Sequence, residues 1–437
     1  MRAINLGRVV AALAVVLSLV LLQTNLLKLA HNCVNAVDFS IYQQAAVELA
    51  SGPSWNPYSS VRGVKIFNDH FDPVLLVAAG LLKVVGTSPE ALIIFEWLWW
   101  LALLVSLYCS SDKNSRLFLV GLALVSRWLW GAFLFPIHPT TWAALPLFWV
   151  TWAAIRRRPR LFLISAALLC VFKESYAFAL IPLAVWVAWA WDRRVGVLTG
   201  SLVALFVAFE LFGRAWWLGP TIGYGSNALT SLLAAPWQRL LAIPWWETTK
   251  AAAPFILAAI AARVSAKSLL PALLLGLPLL AIQLANGRTG FQYGAQFAAV
   301  GLGLLAAQAE VVWRVKWKWA ALLVGALTCM GTFTAIVRLH AGHDSRCRPD
   351  RLRTEETVRV QGLLWGLPRG AVVAASGGVI PHLVRPGLDL RHLGGFSPRL
   401  DEAATARLRL RCLTFARHVH LDTPRFFFAE GDFARCL

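Results

Sequence analysis

What most limits the folding of this chain is a repeat of apolar segments. Twelve of them run through the first 340 residues, at about 9–30, 73–86, 90–109, 117–134, 139–155, 161–172, 175–191, 195–213, 250–263, 268–285, 290–312 and 319–338. Only 14% of the residues are charged and 58% are hydrophobic, against about 25% charged in an average soluble domain. In lipid, backbone N–H and C=O groups must be satisfied within the segment itself, so long apolar strips become helices. The fold class predicted is a polytopic α-helical membrane protein of about 11–13 spans, a small α/β domain following the bundle. Several segments are shorter than the roughly 20 residues a perpendicular span needs. Short segments bounded by proline are expected to be broken or re-entrant helices, which survive where protein walls them off from lipid.

Charge gives the orientation. The net charge of +19 is gathered largely in short patches between segments: Arg156, Arg157, Arg158 and Arg160; Arg193 and Arg194; Arg314, Lys316 and Lys318. That is the distribution of cytoplasmic loops rather than of a nucleic-acid surface. The 21 tryptophans cluster near segment ends, as at Trp97, Trp99 and Trp100 or Trp245 and Trp246, where an amphipathic ring suits the headgroup layer. Residues 9–30 make too long an apolar run for a signal peptide, and no small-residue cleavage site follows, so an uncleaved first helix with a cytoplasmic N-terminus is expected. The predicted division is a transmembrane bundle over 1–340, with an external first loop at 31–72, and a small external α/β domain over 341–437. Parity between Asp72 and His138 requires either that 73–86 dips without crossing or that 117–134 breaks into two short helices; the first is favoured because it keeps Lys113 and Arg116 inside. In the tail every basic side chain is arginine apart from histidines. The tail's runs at 371–380 and 418–429 look strand-like, and 401–416 looks helical. Cys109, Cys170 and Cys329 lie in apolar segments and read as small hydrophobes. Cys33, Cys347, Cys412 and Cys436 lie where an oxidising face permits a disulfide, with connectivity open.

Ionisable residues at the mouth of such a bundle are expensive to desolvate and default to a functional reading. The stretch DFSIYQQAAVELASG (38–52) is expected to be an amphipathic interfacial helix with Asp38 as its N-cap. NDHFDP (68–73) packs Asp69, His70 and Asp72 into one loop, which would suit shared proton chemistry or a divalent cation, Mg or Mn, held by Asp69 and Asp72. A cap for the helix at Pro73 is the plainer role for Asp72. FPIHP (135–139) sets His138 in a second external turn. FKES (172–175) puts Lys173 and Glu174 at a segment end, where Lys173 would meet phosphate as a point charge. NGRTGFQYGAQ (286–296) offers Arg288 and Tyr293, and GGVIPHLVRPG (377–387) offers His382 and Arg385. No Gly-rich nucleotide loop, CxxC pair or HExxH occurs.

Taken in order, D-F-x-I-Y, N-D-H-F-D-P, F-x-x-H-P, F-K-E and V-I-P-H-L-x-x-R resemble the bacterial membrane-protein family known as domain of unknown function 2079, over about residues 35–390. That family is similar to the GT-C clan of integral-membrane glycosyltransferases. The resemblance implies a multi-pass protein of the bacterial inner membrane whose external face takes a sugar from a polyprenyl-phosphate donor. It implies Asp38 as the acidic residue of the first external loop and matches Lys173-Glu174 to the family's Lys-Glu; on this reading Asp38 is expected to be the general base, with Asp69 and Glu174 as further catalytic carboxylates. His70, His138, Lys173, Arg288, Tyr293, His382 and Arg385 would bind substrate or lipid phosphate. Two positions depart from the family pattern: Ser175 follows Lys173-Glu174 where an acid is common, and Gln292 stands where a His is common. A lipid or solute transporter or flippase is the alternative, or a non-enzymatic membrane assembly protein. No internal repeat of the kind transporters carry is evident.

Overall fold

A computed structural model describes residues 6–31, 33–34, 36–52, 54–112, 115–219, 238, 241, 245–285, 291–308, 315–341, 367–368, 370–375, 380–386, 388–392, 409, 412–414, 416–422 and 427–431. The protein is mainly helical. Helix α1 (Leu6–Ala30) leads into α2 (Ala36–Ser51), the two-residue strands β1 (Tyr58–Ser59) and β2 (Val64–Lys65), a short turn of helix α3 (Ile66–Asp69), and α4 (Leu75–Val85). Then come α5 (Pro89–Ser110), α6 (Arg116–Leu124), α7 (Arg127–Phe133), α8 (Pro139–Trp142), α9 (Ala144–Ile155), α10 (Pro159–Phe172) and α11 (Glu174–Ala190). The next helix, α12 (Arg193–Leu218), contains one π-helical turn at Phe209–Gly213. The bundle continues through α13 (Trp245–Ala261), α14 (Ala266–Ala285), α15 (Phe291–Ala307) and α16 (Val315–His340).

Five helices among the described residues are long and apolar enough to cross a membrane: Gly7–Ala30, Pro89–Ser110, Arg193–Leu218, Ala266–Leu284 and Trp317–His340. The pair α6 and α7, bent by 58° at its break, supplies a sixth if taken as one span. Apolar side chains face outward from these helices, as with Val105 (60% exposed) and Phe212 (75% exposed). Helix α4 has only 11 residues, about 16 Å of rise, and it packs on α2. Between Asp72 and His138 the chain thus holds a short helix at 75–85 and, as in the second alternative, a stretch at 116–133 that is broken into two helices.

The break between α6 and α7 frees backbone carbonyls that lipid could not satisfy, and the fold supplies donors. Trp130 Nε1 donates to Leu124 O at 2.6 Å, and Cys329 Sγ donates to Val125 O at 3.0 Å. At the far end of α7, Asn25 Nδ2 donates to Phe133 O at 2.7 Å and Lys28 Nζ to Leu134 O at 2.8 Å. Polar residues near the end of α1 thus close the end of its neighbour.

Helix α15 meets α9 through small residues, which let two backbones approach closely. A Cβ at Gly303 would lie 2.6 Å from Phe148 O and 2.9 Å from Thr151 Cβ. Gly303→Val is therefore expected to destabilise the bundle by about 1–3 kcal/mol, the usual range for overpacking. Gly276→Val, where a Cβ meets nothing within 4 Å, serves as control. Thermal unfolding of both variants in detergent checks this, and equal midpoints would mean that α9 and α15 do not pack as described.

Two expectations about the first loop change. Asp38 is not the N-cap of α2; it is the third residue of that helix, within its first turn. Nor does α2 have a lipid face, because Phe39, Ser40, Gln43, Gln44, Ala46 and Val47 are all buried. Its polar side is covered by protein: Gln44 bonds Ser60 at 2.8 Å and Ser59 at 3.1 Å, while Gln43 Nε2 donates to Pro381 O at 2.9 Å.

That last contact comes from the tail, where strands β3 (Val372–Ala375), β4 (Asp389–His392), β5 (Ala416–Asp422) and β6 (Phe427–Gly431) form a sheet in the order β4-β3-β6-β5. β3 runs parallel to β4 and antiparallel to β6, and β5 runs antiparallel to β6. The strand-like run at 418–429 thus belongs to two strands of a hairpin. The helix-like run at 401–416 lies mostly outside the described residues. A short helix, α17 (Ile380–Leu383), sits between β3 and β4. The tail docks on the end of α1 and on the first loop: His382 Nε2 meets Leu29 O at 3.1 Å, and Leu390 N donates to Ser60 Oγ at 2.8 Å. Cys33 and Cys412 are each in a disulfide, and Cys109, Cys170 and Cys329 are free.

Candidate functional site

The NDHFDP loop is held from both sides before any chemistry is considered. Asn56 Oδ1 accepts from Phe67 N at 3.0 Å, Asn56 Nδ2 donates to Asn68 Oδ1 at 2.8 Å, and Asn68 Nδ2 donates to Leu218 O at 3.0 Å. Arg214 reaches in from just beyond the π turn of α12, donating from Nε to Phe67 O and from Nη2 to Asp69 O, both at 2.9 Å. Its third arm, Nη1, pairs with Glu210 at 2.7 Å. Arg62 pairs with Asp69 at 2.8 Å. On the other side, Val74 N donates to Val171 O at 3.0 Å, tying the loop to the last turn of α10. Two arginines, neither part of the expected site, thus hold the loop, Arg214 by its backbone carbonyls and Arg62 by the Asp69 side chain.

Helices α10 and α11 are separated by the single residue Lys173, whose extended backbone (φ −173°, ψ 145°) makes it the N-cap of α11. This break presents Lys173, 8% exposed, and Glu174 to the loop. His70 Nδ1 and Glu174 Oε1 meet at 3.1 Å across 104 positions of sequence. Burial, and then the Lys173 cation, hold the His70 imidazole below its usual pKa; Glu174 and Asp69 pull the other way. Asp72 is fully buried. Burial pushes its carboxyl well above the usual carboxylate range, with Lys173 opposing and Glu174 reinforcing. Lys173, Glu174, His70 and Asp72 therefore form one electrostatic unit.

A second group of side chains adjoins it. Tyr42 stands edge-on to His138 with ring centroids 5.3 Å apart, and His138 to Tyr293 at 6.0 Å. Burial raises the Tyr42 phenol well above its usual pKa, helped first by Asp72 and then by Asp38, four residues earlier on α2. His138 N-caps α8, its Nδ1 accepting from Thr140 N at 3.2 Å. Its turn is anchored by Glu96, whose Oε2 accepts from Ile137 N and, at 3.2 Å, from Trp142 Nε1. Ile137 takes a φ of 63°, a genuine strain for a β-branched residue. Below, Gln283 Nε2 donates to Gln296 Oε1 at 2.9 Å, and Gln296 Nε2 donates to the Tyr176 hydroxyl at 2.7 Å.

Of the expected site residues, the fold joins His70 to Glu174, sets Lys173 and Asp72 beside them, and gathers His138 with Tyr293 around Tyr42. Asp38 is half-buried and reaches the group through its field on Tyr42. Asp69 is committed to Arg62. His382 makes a main-chain contact with Leu29 O at the joint between tail and bundle, and Arg385 donates to Leu367 O within the tail. Arg288 lies outside the described residues. Among the described residues no group of three or more His, Cys, Asp or Glu side chains gathers as a metal-ligand set.

Glu96, Tyr42, Tyr176, Gln296, Arg62 and Arg214 were not expected. Glu96 had a signal: an acid in the interior of a 22-residue apolar helix, well past Glu90 in its first turn, marks a functional or structural anchor by default. Arg214 lies just beyond an apolar segment and carries no motif.

No protein-family model, curated protein or solved structure matches this chain.

Proposed function

We propose that this chain is a multi-pass membrane enzyme that moves a sugar from a polyprenyl-phosphate donor to a hydroxyl acceptor at the outer face of a bacterial inner membrane. The observation that carries the reading is the His70–Glu174 pair, seated at a helix break with Lys173 and the buried Asp72. A carboxylate that orients an imidazole is the usual arrangement of a general base. His70 takes the proton of the acceptor hydroxyl. The acceptor oxygen then bonds to the anomeric carbon from the face opposite the phosphate, and the bond from that carbon to the phosphate oxygen breaks. Polyprenyl phosphate leaves with the negative charge, which Lys173 balances as a point charge. Inversion at the anomeric carbon follows. In this reading the N-terminus is cytoplasmic and the tail is external; a disulfide state at Cys33 and Cys412 fits an oxidising compartment.

The alternative, translocation of a lipid, would draw on the broken helix α6–α7. The carbonyls freed there already have Trp130 and Cys329 as donors, which favours a structural break over a transport path.

The test is the lipid that co-purifies. Mass spectrometry of extracts from the purified protein is expected to find isoprenoid phosphates or their glycosides, enriched several-fold over Lys173→Met prepared in parallel. Equal amounts in the two, or only bulk phospholipid in both, would remove the phosphate-donor reading.

A further inference from the structure

Three carboxylates lie on the loop and at the break, Asp69, Asp72 and Glu174, and they are not equivalent. Asp69 gives Oδ2 to Arg62, and Glu174 gives Oε1 to His70. Asp72 gives neither oxygen to any donor among the described residues, although it is fully buried. Its position just before Pro73 would suit a helix cap, yet α4 starts at Leu75 with Val74 as N-cap and no side-chain cap bond. The Asp72 carboxyl therefore does not cap the helix. The other buried atoms left without a partner close by are acceptors too, Glu174 Oε2 and Asp69 Oδ1.

A buried carboxyl without donors is destabilising, and it persists where something else supplies them. A phosphate brings further acceptors and negative charge, so it does not answer this need. A divalent cation would be set against the Lys173 cation that already faces this carboxyl, and among the described residues no group of three or more His, Cys, Asp or Glu side chains gathers to hold one. A hydroxyl both donates and accepts, so it fits the carboxyl group in either protonation state. We propose that Asp72 binds adjacent hydroxyl groups of a sugar, making the loop beside Lys173 a polyol subsite. This deepens the transfer reading and rests on it for which sugar enters.

The experiment uses the full-length protein in detergent, with Asp72→Asn and Asp72→Leu, and methyl glycosides of glucose, galactose and mannose as probes. Without glycoside, both variants are expected to melt at or above the wild-type temperature, because Leu removes the unsatisfied buried group and Asn replaces it with an amide whose N–H groups can donate to the open acceptors Glu174 Oε2 and Asp69 Oδ1. Asp69→Asn, which breaks the ion pair with Arg62, is expected to melt lower. With glycoside at millimolar concentration, at least one probe raises the wild-type midpoint and leaves Asp72→Leu unmoved. A drop in both Asp72 variants like that of Asp69→Asn would make Asp72 structural. No shift in the wild type, or equal shifts in wild type and Asp72→Leu, would also overturn the subsite. The phosphate reading is judged separately, by the lipid that Lys173 retains. A glycoside shift without isoprenoid phosphate would leave the subsite standing and remove the donor, and the reverse result would do the opposite.

Discussion

If the chain transfers sugar as proposed, His70→Gln is expected to lower transfer by about 10²–10⁴-fold, the usual worth of a general base, while leaving the loop's arginine clamp in place. The pH profile is the sharper test. To accept a proton, His70 must be neutral, and burial together with Lys173 holds its pKa below the ordinary value. The acid limb of kcat/KM therefore lies below pH ~6.5. Lys173→Met removes a cation that depresses the pKa, so the limb moves up toward that value. Glu174→Gln removes an anion that raises it, so the limb moves further down, with a loss of rate as the ring loses its orientation. Stability shares the sign. A histidine whose folded-state pKa is depressed binds fewer protons folded than unfolded, so its contribution is present above the unfolded pKa and fades as pH falls below it. The folded fraction must be measured at each pH. Limbs that stay fixed in both variants would take the proton from His70 and return it to Asp38. In that case Asp38→Asn and Asp38→Ser abolish transfer alike, since neither can accept a proton at neutral pH.

Arg214→Leu is expected to be the most destabilising single change in the bundle. Its guanidinium makes three bonds, to Phe67 O, Asp69 O and Glu210, and both partners of its ion pair are nearly buried. Removing one member of a buried pair strands the other, typically at 3–5 kcal/mol. The double change Arg214→Leu with Glu210→Leu removes both charges and should recover part of that loss. It cannot recover the two carbonyl bonds that set the NDHFDP loop, so transfer stays low. Arg214→Lys keeps the charge without the planar fork, and hydrogen exchange at 66–72 should rise in it as well. If the double variant is no more stable than Arg214→Leu, the pair is not the origin of the effect.

Much of the bundle was legible as pattern. Apolar strips of about 20 residues can only be satisfied as helices in lipid, and each segment read from the sequence has a helix at its position. The motifs NDHFDP, FPIHP and FKES were legible as sites because charge at a segment end demands a reason. The roles within them were not. Asp38 and Asp72 both read as caps, since the preference of Asp for such positions is local. Where the cap falls depends on which backbone turn the packed neighbours impose, and neither residue ended as one. Helix α2 read as amphipathic, because nothing in its own 16 residues says that the Ser59–Ser60 turn and Pro381 will cover its polar side.

The sequence by itself determined that this chain is a set of apolar helices with ionisable residues collected at their ends, because hydropathy and charge act on each segment separately. Only the tertiary structure decided which ends meet. Joining His70 to Glu174 closes a loop of more than a hundred residues; that pairing follows from how α10, α11 and α12 stack, which no local pattern encodes. The same stacking brings Arg214 under the loop and leaves Asp72 buried without a donor. The division between the carboxylate that orients a base, the one tied to an arginine and the one left open is a property of packing, since the three are chemically alike until their neighbours are in place.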